Sequence, residues 1–107
     1  MTAINMNNEM FEQLGNEDKP VLVDYWAPWC GYCRRISAAY DKIAEEYGDI
    51  VVAGKINIDE NPRLAEEEQI EVIPTLVLYK HGKAIDSIVA PESKAMIDRF
   101  LKGALEK

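Results

Sequence analysis

Cysteine is scarce in this chain: two residues among 107, Cys30 and Cys33, with two others between them. A bond between them would close a loop too small to restrict the unfolded chain much. Two cysteines also fall short of the framework that staples small secreted domains. If the pair matters, it matters through reactivity. Histidine is scarcer still, with His81 alone. No apolar run approaches the ~20 residues that a membrane-crossing helix needs. Met1 to Glu9 has neither a basic start nor an apolar stretch, so no secretory signal is expected and the cytoplasm is the expected compartment. Positive charge is in the minority, 12 Lys and Arg against 19 Asp and Glu, for a net charge of −7 and a pI of about 4.7. Such a surface repels phosphate backbones, which weighs against nucleic acid as a partner. Repeats, linkers and low-complexity stretches are missing, and one domain over residues 1–107 is expected.

What is present is an alternation of strand and helix signals. Ala3 to Met6 is a short strand candidate, and Asn7 or Asn8 can cap a helix carrying Met10, Phe11 and Leu14 to Gly15. Val21 to Trp26 is apolar on both faces except for Asp24, the pattern of a central, doubly covered strand. Cys33, Ile36, Tyr40, Ile43 and Tyr47 recur at gaps of three and four, which predicts one helical face ending near Gly48. Ile50 to Ile58 reads as a second central strand. Asn61-Pro62 offers a capping side chain and then a proline at the first helical position, opening a short helix to about Glu68. Thr75 to Tyr79 and Ala84 to Val89 flank His81-Gly82, a hairpin signal. Ser93 caps a last helix with Met96, Ile97, Phe100, Leu101 and Leu105 on its apolar face. The order β-α-β-α-β-α-β-β-α predicts an α/β fold with a mixed sheet of about five strands between about four helices.

In that order, Cys30-Gly31-Tyr32-Cys33 falls after a buried strand and at the start of a helix. Unpaired N–H groups and the positive end of the helix dipole favour a thiolate there. Thiolate is the nucleophile in disulfide exchange. Cys30, nearer the helix end, is the candidate attacking residue, and Cys33, inside the first turn, the candidate resolving residue. Two blander readings compete. The pair could be half of a zinc site, although zinc usually wants four ligands and His81 is the one histidine that could join it. It could also be an inert pair of buried thiols. Asp24 raises its own question, because a carboxylate inside an apolar strand is costly unless paired or protonated.

With Trp29-Cys30-Gly31-Tyr32-Cys33 in view, the chain resembles the thioredoxin family nearly end to end. The likeness also covers Val21-Leu22-Val23-Asp24-Tyr25-Trp26-Ala27, Lys55-Ile56-Asn57-Ile58-Asp59, Asn61-Pro62 and Ile73-Pro74-Thr75. The resemblance implies a thioredoxin fold and a cis Pro74 beside the cysteines; a trans proline opening a strand is the alternative. It implies that Asp24 exchanges a proton with Cys33 through water, against a purely structural aspartate. It also implies that Lys55 lies near Asp24 and tunes it, against a surface lysine on a strand. Burial is expected to raise the Asp24 carboxyl more than Lys55 lowers it. Trp29, Gly31, Tyr32, Ile73, Pro74 and Ala90 would flank the active site or line the substrate groove, with Trp26 as packing support.

Two residues depart from the family pattern. Tyr32 stands where the family usually has proline, and Ala90 where it usually has glycine. Tyr32 restores a backbone donor that proline lacks; pointed at Cys30, alone or with the N–H of Cys33, it would favour the reduced protein. Ala90 would hinder close backbone approach by a substrate. Arg34-Arg35 can guide anionic partners or be a solvated helix face. The resemblance implies reduction of protein disulfides by dithiol–disulfide exchange, with no bound cofactor. A flavoprotein thioredoxin reductase would be the electron donor, and the protein a monomer away from membranes. A more oxidising disulfide oxidase or isomerase, and a binding subunit indifferent to its thiols, are the alternatives.

Overall fold

The structure is a computed structural model and describes residues 3–107; Met1 and Thr2, where the stretch read for a signal begins, lie outside them. Five strands form one sheet: β1 (Ile4–Asn5), β2 (Val21–Trp26), β3 (Val52–Asn57), β4 (Thr75–Lys80) and β5 (Lys83–Val89). Their spatial order is β1-β3-β2-β4-β5. Strands β1, β3 and β2 run parallel, and β4 and β5 pair antiparallel on the other side. Four helices complete the chain, α1 (Asn8–Gly15), α2 (Gly31–Glu46), α3 (Pro62–Glu67) and α4 (Lys94–Leu105). The predicted order of elements and the mixed five-stranded sheet are both present.

Strand β2 lies at the centre, and its side chains alternate between two cores. Leu22 points to the side covered by α2 and α4, among Tyr40, Ile43, Leu76, Leu78, Ile97 and Leu101. Val21, Val23 and Tyr25 point to the other, among Met6, Ile56, Leu64, Val77 and Tyr79. The mostly apolar run is thus explained by burial on both faces. The tyrosine hydroxyls that enter these cores find partners. The Tyr25 and Tyr79 hydroxyls lie 2.7 Å apart, and Tyr79 also donates to Glu68 Oε1 at 2.7 Å. On the opposite side the fully buried Tyr40 donates to the carbonyls of Leu22 (3.1 Å) and Gly54 (2.8 Å). One phenol therefore ties α2 to both β2 and β3.

Caps set the helix starts. Asn7, rather than Asn8, accepts from the Met10 N–H, and Ser93 accepts from the Met96 N–H. Several bounds differ from expectation. β1 spans two residues instead of four. β3 begins at Val52, not Ile50, because the Ile50 and Val51 N–H groups turn back to the Tyr47 carbonyl and leave Ile50 51% exposed. Helix α1 runs through Gly15 to a cap at Asn16, and α2 is capped by Tyr47, one residue before Gly48. Asn61 precedes Pro62 as expected but makes no cap bond; its amide donates to the Asn57 carbonyl at 3.1 Å.

Removing the Tyr40 hydroxyl tests the tie between helix and sheet. Tyr40→Phe keeps the ring and deletes two buried hydrogen bonds, so it should lower the unfolding free energy by about 1 to 2 kcal/mol. Urea denaturation reads this directly. An unchanged midpoint would show that the hydroxyl adds nothing to the packing of the ring.

Candidate active site

The buried end of β2 fixes where α2 begins. After Trp26 the chain turns through Ala27-Pro28-Trp29, with the Cys30 N–H donating to the Ala27 carbonyl at 3.1 Å. Cys30 is the N-cap of α2, and its Sγ accepts the N–H of Cys33 at 3.1 Å. A sulfur thus does what a serine or aspartate oxygen does at other helix starts. The donor that reaches the sulfur is Cys33, not Tyr32. The two cysteines are joined as a disulfide, their Cα atoms 5.3 Å apart. Cys30 keeps 9% of its surface exposed and Cys33 3%. Gly31, between them and the solvent side, has no heavy atom within 4 Å of where a side chain would start. A side chain at position 31 would stand in open space.

An apolar surround holds the pair: Ala27 with the cysteines, packed against Trp26, Tyr32, Ile58 and Ile73. The Ile73–Pro74 bond is cis, and the Pro74 carbonyl accepts the Ala90 N–H at 2.8 Å. Ala90 has a φ of +46°, in the left-handed region that favours glycine. The backbone here thus keeps a shape suited to the residue the family usually carries. Trp29 is 67% exposed beside the pair, held by its indole N–H donating to Asp59 Oδ2 at 2.9 Å. Arg34 donates to the Pro28 carbonyl at 3.0 Å, and the Arg35 guanidinium lies 5.8 Å over the Tyr32 ring. Both arginines serve the local fold.

Behind the pair lies Asp24, 2% exposed, with Oδ1 buried and without a hydrogen-bond partner among the described residues. Asp24 and Cys33 share a cavity of about 250 Å³, whose other walls are Trp26, Arg34, Ser37 and Lys55. Lys55 is the register partner of Asp24 on the neighbouring strand. Its ammonium, however, donates to Ser37 Oγ at 2.8 Å and pairs with Asp41 Oδ1 at 3.4 Å. Burial pushes the Asp24 carboxyl up to about 7; Lys55 opposes this and the Asp41 charge adds to it. Sequence reasoning missed Ser37 and Asp41. The signal was there, since Cys33, Ser37 and Asp41 follow at steps of four and share a face of α2.

The Asp24 shift has a consequence for stability. The unfolded carboxyl titrates near 3.8 and the folded one at about 7. Below both, the group is protonated in either state and contributes nothing. Between them the unfolded chain ionises while the folded one holds its proton, so stability falls as pH rises and levels off above about 7. Asp24→Asn should therefore stabilise the protein by on the order of 4 kcal/mol at mildly alkaline pH and by little in acid. A variant less stable than the parent at alkaline pH would mean that favourable contacts hold the carboxylate.

Among the described residues no three His, Cys, Asp or Glu side chains gather into a metal site, and no helix is long and apolar enough to cross a membrane. The thioredoxin family model matches residues 2–103. Thioredoxin from Porphyra purpurea is 42% identical over 102 residues, covering 94% of this chain and 95% of that protein. Thioredoxin 1 from Synechococcus elongatus is 46% identical over 82 residues, 77% of each chain. Thioredoxin from Acidithiobacillus ferridurans is 47% identical over 87 residues, 81% of each. With this match laid over a five-stranded mixed sheet and a Cys-x-x-Cys pair at its central helix start, the chain belongs to the thioredoxin family.

Proposed function

We propose that the chain is a thiol–disulfide oxidoreductase that reduces protein disulfides by exchange at Cys30 and Cys33. The observation that carries this reading is the sulfur at the N-cap of α2, reached by a backbone N–H in an apolar, partly open site. Such a position stabilises a thiolate at Cys30. In the first step that thiolate attacks one sulfur of the target disulfide. The target S–S bond breaks, a mixed disulfide forms, and the other target sulfur departs and takes up a proton. In the second step Cys33 loses its proton and attacks Cys30 Sγ. The mixed disulfide breaks, the second target thiol leaves, and the Cys30–Cys33 bond closes. Two electrons have passed from the dithiol to the target.

Asp24 is the proposed acceptor of the Cys33 proton. It lines the same cavity, which has room for a water to bridge the two. A carboxyl titrating at about 7 accepts and returns a proton near neutral pH. Lys55 is the proposed tuner of that group, restrained in this role by Ser37 and Asp41. Trp29, Gly31, Tyr32, Ile73, Pro74 and Ala90 are the proposed walls of the substrate groove. The redox group is the cysteine pair itself, with no further cofactor. The reading extends to a single domain over residues 1–107, working as a cytoplasmic monomer in electron transport, with a flavoprotein thioredoxin reductase returning electrons to the pair.

Two cysteine variants test the assignment. Cys33→Ser should accumulate mixed disulfides with protein targets, whereas Cys30→Ser should accumulate none, as judged on non-reducing gels. In the reduced protein Cys30 should alkylate with iodoacetamide at least about tenfold faster than Cys33 near neutral pH. Equal alkylation rates would remove Cys30 from the attacking role. Full biological activity in both serine variants would point instead to a binding subunit.

A further inference from the structure

The two positions at which the chain departs from the family pattern, Tyr32 and Ala90, are the two ends of one contact. The Tyr32 hydroxyl donates to the carbonyls of Ala90 at 3.3 Å and Pro91 at 3.1 Å, across 58 and 59 residues of sequence. Tyr32 stands in the first turn of α2, between the cysteines, while Ala90 and Pro91 join β5 to α4. On its other side Ala90 gives its N–H to the Pro74 carbonyl at 2.8 Å. The Ala90 residue is therefore held from both directions, by the turn at Pro74 and by the phenol. It is also the residue with φ at +46°, a conformation that a Cβ disfavours and that alanine keeps only when its surroundings impose it.

We propose that Tyr32 is a positioning residue whose hydroxyl straps the Ala90–Pro91 segment to the start of α2 and so fixes the substrate groove for protein disulfides. This rests on the disulfide-reductase reading above. The α2 start, the Ala90–Pro91 loop and the Ile73–Pro74 turn are thus joined in one run of contacts, from the Tyr32 hydroxyl through Ala90 to the Pro74 carbonyl. Proline at position 32 could not make this strap, because it has no hydroxyl. Glycine at position 90 would need it less, because glycine takes positive φ at no steric cost. Tyrosine and alanine are therefore coupled: the hydroxyl holds in place a residue that its own side chain would drive elsewhere. A macromolecular substrate that lies along the groove depends on that segment. A small disulfide that meets only Cys30 depends on it less.

Tyr32→Phe, Ala90→Gly and the double variant form the test, with dithiothreitol supplying electrons. Phenylalanine keeps the ring and the backbone N–H and removes only the strap. With disulfide-bonded insulin as substrate, Tyr32→Phe should raise KM about fivefold with kcat little affected, the worth of one hydrogen bond. With a nitrobenzoate disulfide, met by the pre-reduced protein in a single turnover free of dithiothreitol (which would reduce it directly), the loss in second-order rate constant should be several-fold smaller. In the Ala90→Gly background the same change should raise the insulin KM by less than about twofold. Amide exchange at residue 90 supplies a readout independent of turnover. It should quicken about fivefold on Tyr32→Phe in the alanine background and much less in the glycine one. An unchanged KM, a loss confined to kcat, or equal effects in both backgrounds would overturn the proposal. So would unchanged exchange. A parent protein that reduces neither disulfide would instead sink the reductase reading, while the exchange experiment would still decide the strap.

Discussion

The first N–H groups of an α-helix have no carbonyl of their own to meet, and in α2 one of them is given to a sulfur. That bond, from the Cys33 N–H to Cys30 Sγ, places the redox pair on the positive end of a sixteen-residue helix. The position of the helix end is itself imposed. Strand β2 is clamped on one face by Leu76, Leu78, Ile97 and Leu101 and on the other by Val77, Tyr79 and Leu64. It can shift neither sideways nor by one residue without turning every side chain to the wrong core. Tyr40 then pins α2 to β2 and β3 through two carbonyls. The location of the sulfur is thus a consequence of packing some distance behind it.

Asp24 shows the opposite relation, a site residue that opposes stability. It faces the α2 side of the sheet in a place where Leu22 and Leu76 show that an apolar residue would fit. The fold tolerates it because the rest of both cores is built from apolar side chains and from tyrosines whose hydroxyls are paired. Lys55 is near enough to lower the carboxyl, yet its ammonium is held by Ser37 and Asp41 instead of closing on Asp24. A direct ion pair would have kept the aspartate ionised, and a proton could not then be stored there near neutral pH. The partial engagement of the lysine is what leaves the carboxyl able to change state.

The strands and helices were legible because each has a strong local period or a strong cap. Val21 to Trp26 could be read as a central strand from its own residues, and Ser93 as a cap from its type and place. Failures came where local pattern and tertiary use diverge. Ile50 and Val51 look like the start of a strand, yet their N–H groups finish the turn after α2. Asn61 has the right residue type for a cap but turns its amide to Asn57. At the site, the cysteine pair was legible from its context between strand and helix. The pairing of Asp24 with Lys55 and the cis Pro74 came from family likeness, since no local rule places residues on separate strands side by side. The Tyr32 contact with the Ala90 loop was not legible at all. It depends on a hydroxyl finding two carbonyls nearly sixty residues away, and only the three-dimensional path of the chain brings them together.

Charge around the pair runs against the charge of the whole. By its total charge of −7 the chain is a poor host for an anionic sulfur. Yet exposed charges are screened over about 8 Å at physiological salt, so the total counts for less than the neighbours. The first turn of α2 holds no acidic residue, and Arg34 and Arg35 follow directly after Cys33. Their guanidinium groups are tied down locally, one to the Pro28 carbonyl and one over the Tyr32 ring. Fixed in this way, they keep positive charge near the helix start instead of sweeping through solvent. The helix dipole, the Cys33 N–H and these two cations near the helix start all favour negative charge at Cys30. Asp24 lies behind the pair and Asp59 holds Trp29 beside it; most other acidic residues are spread over the remaining surface. There they add repulsion between copies of the chain and oppose little at the sulfur.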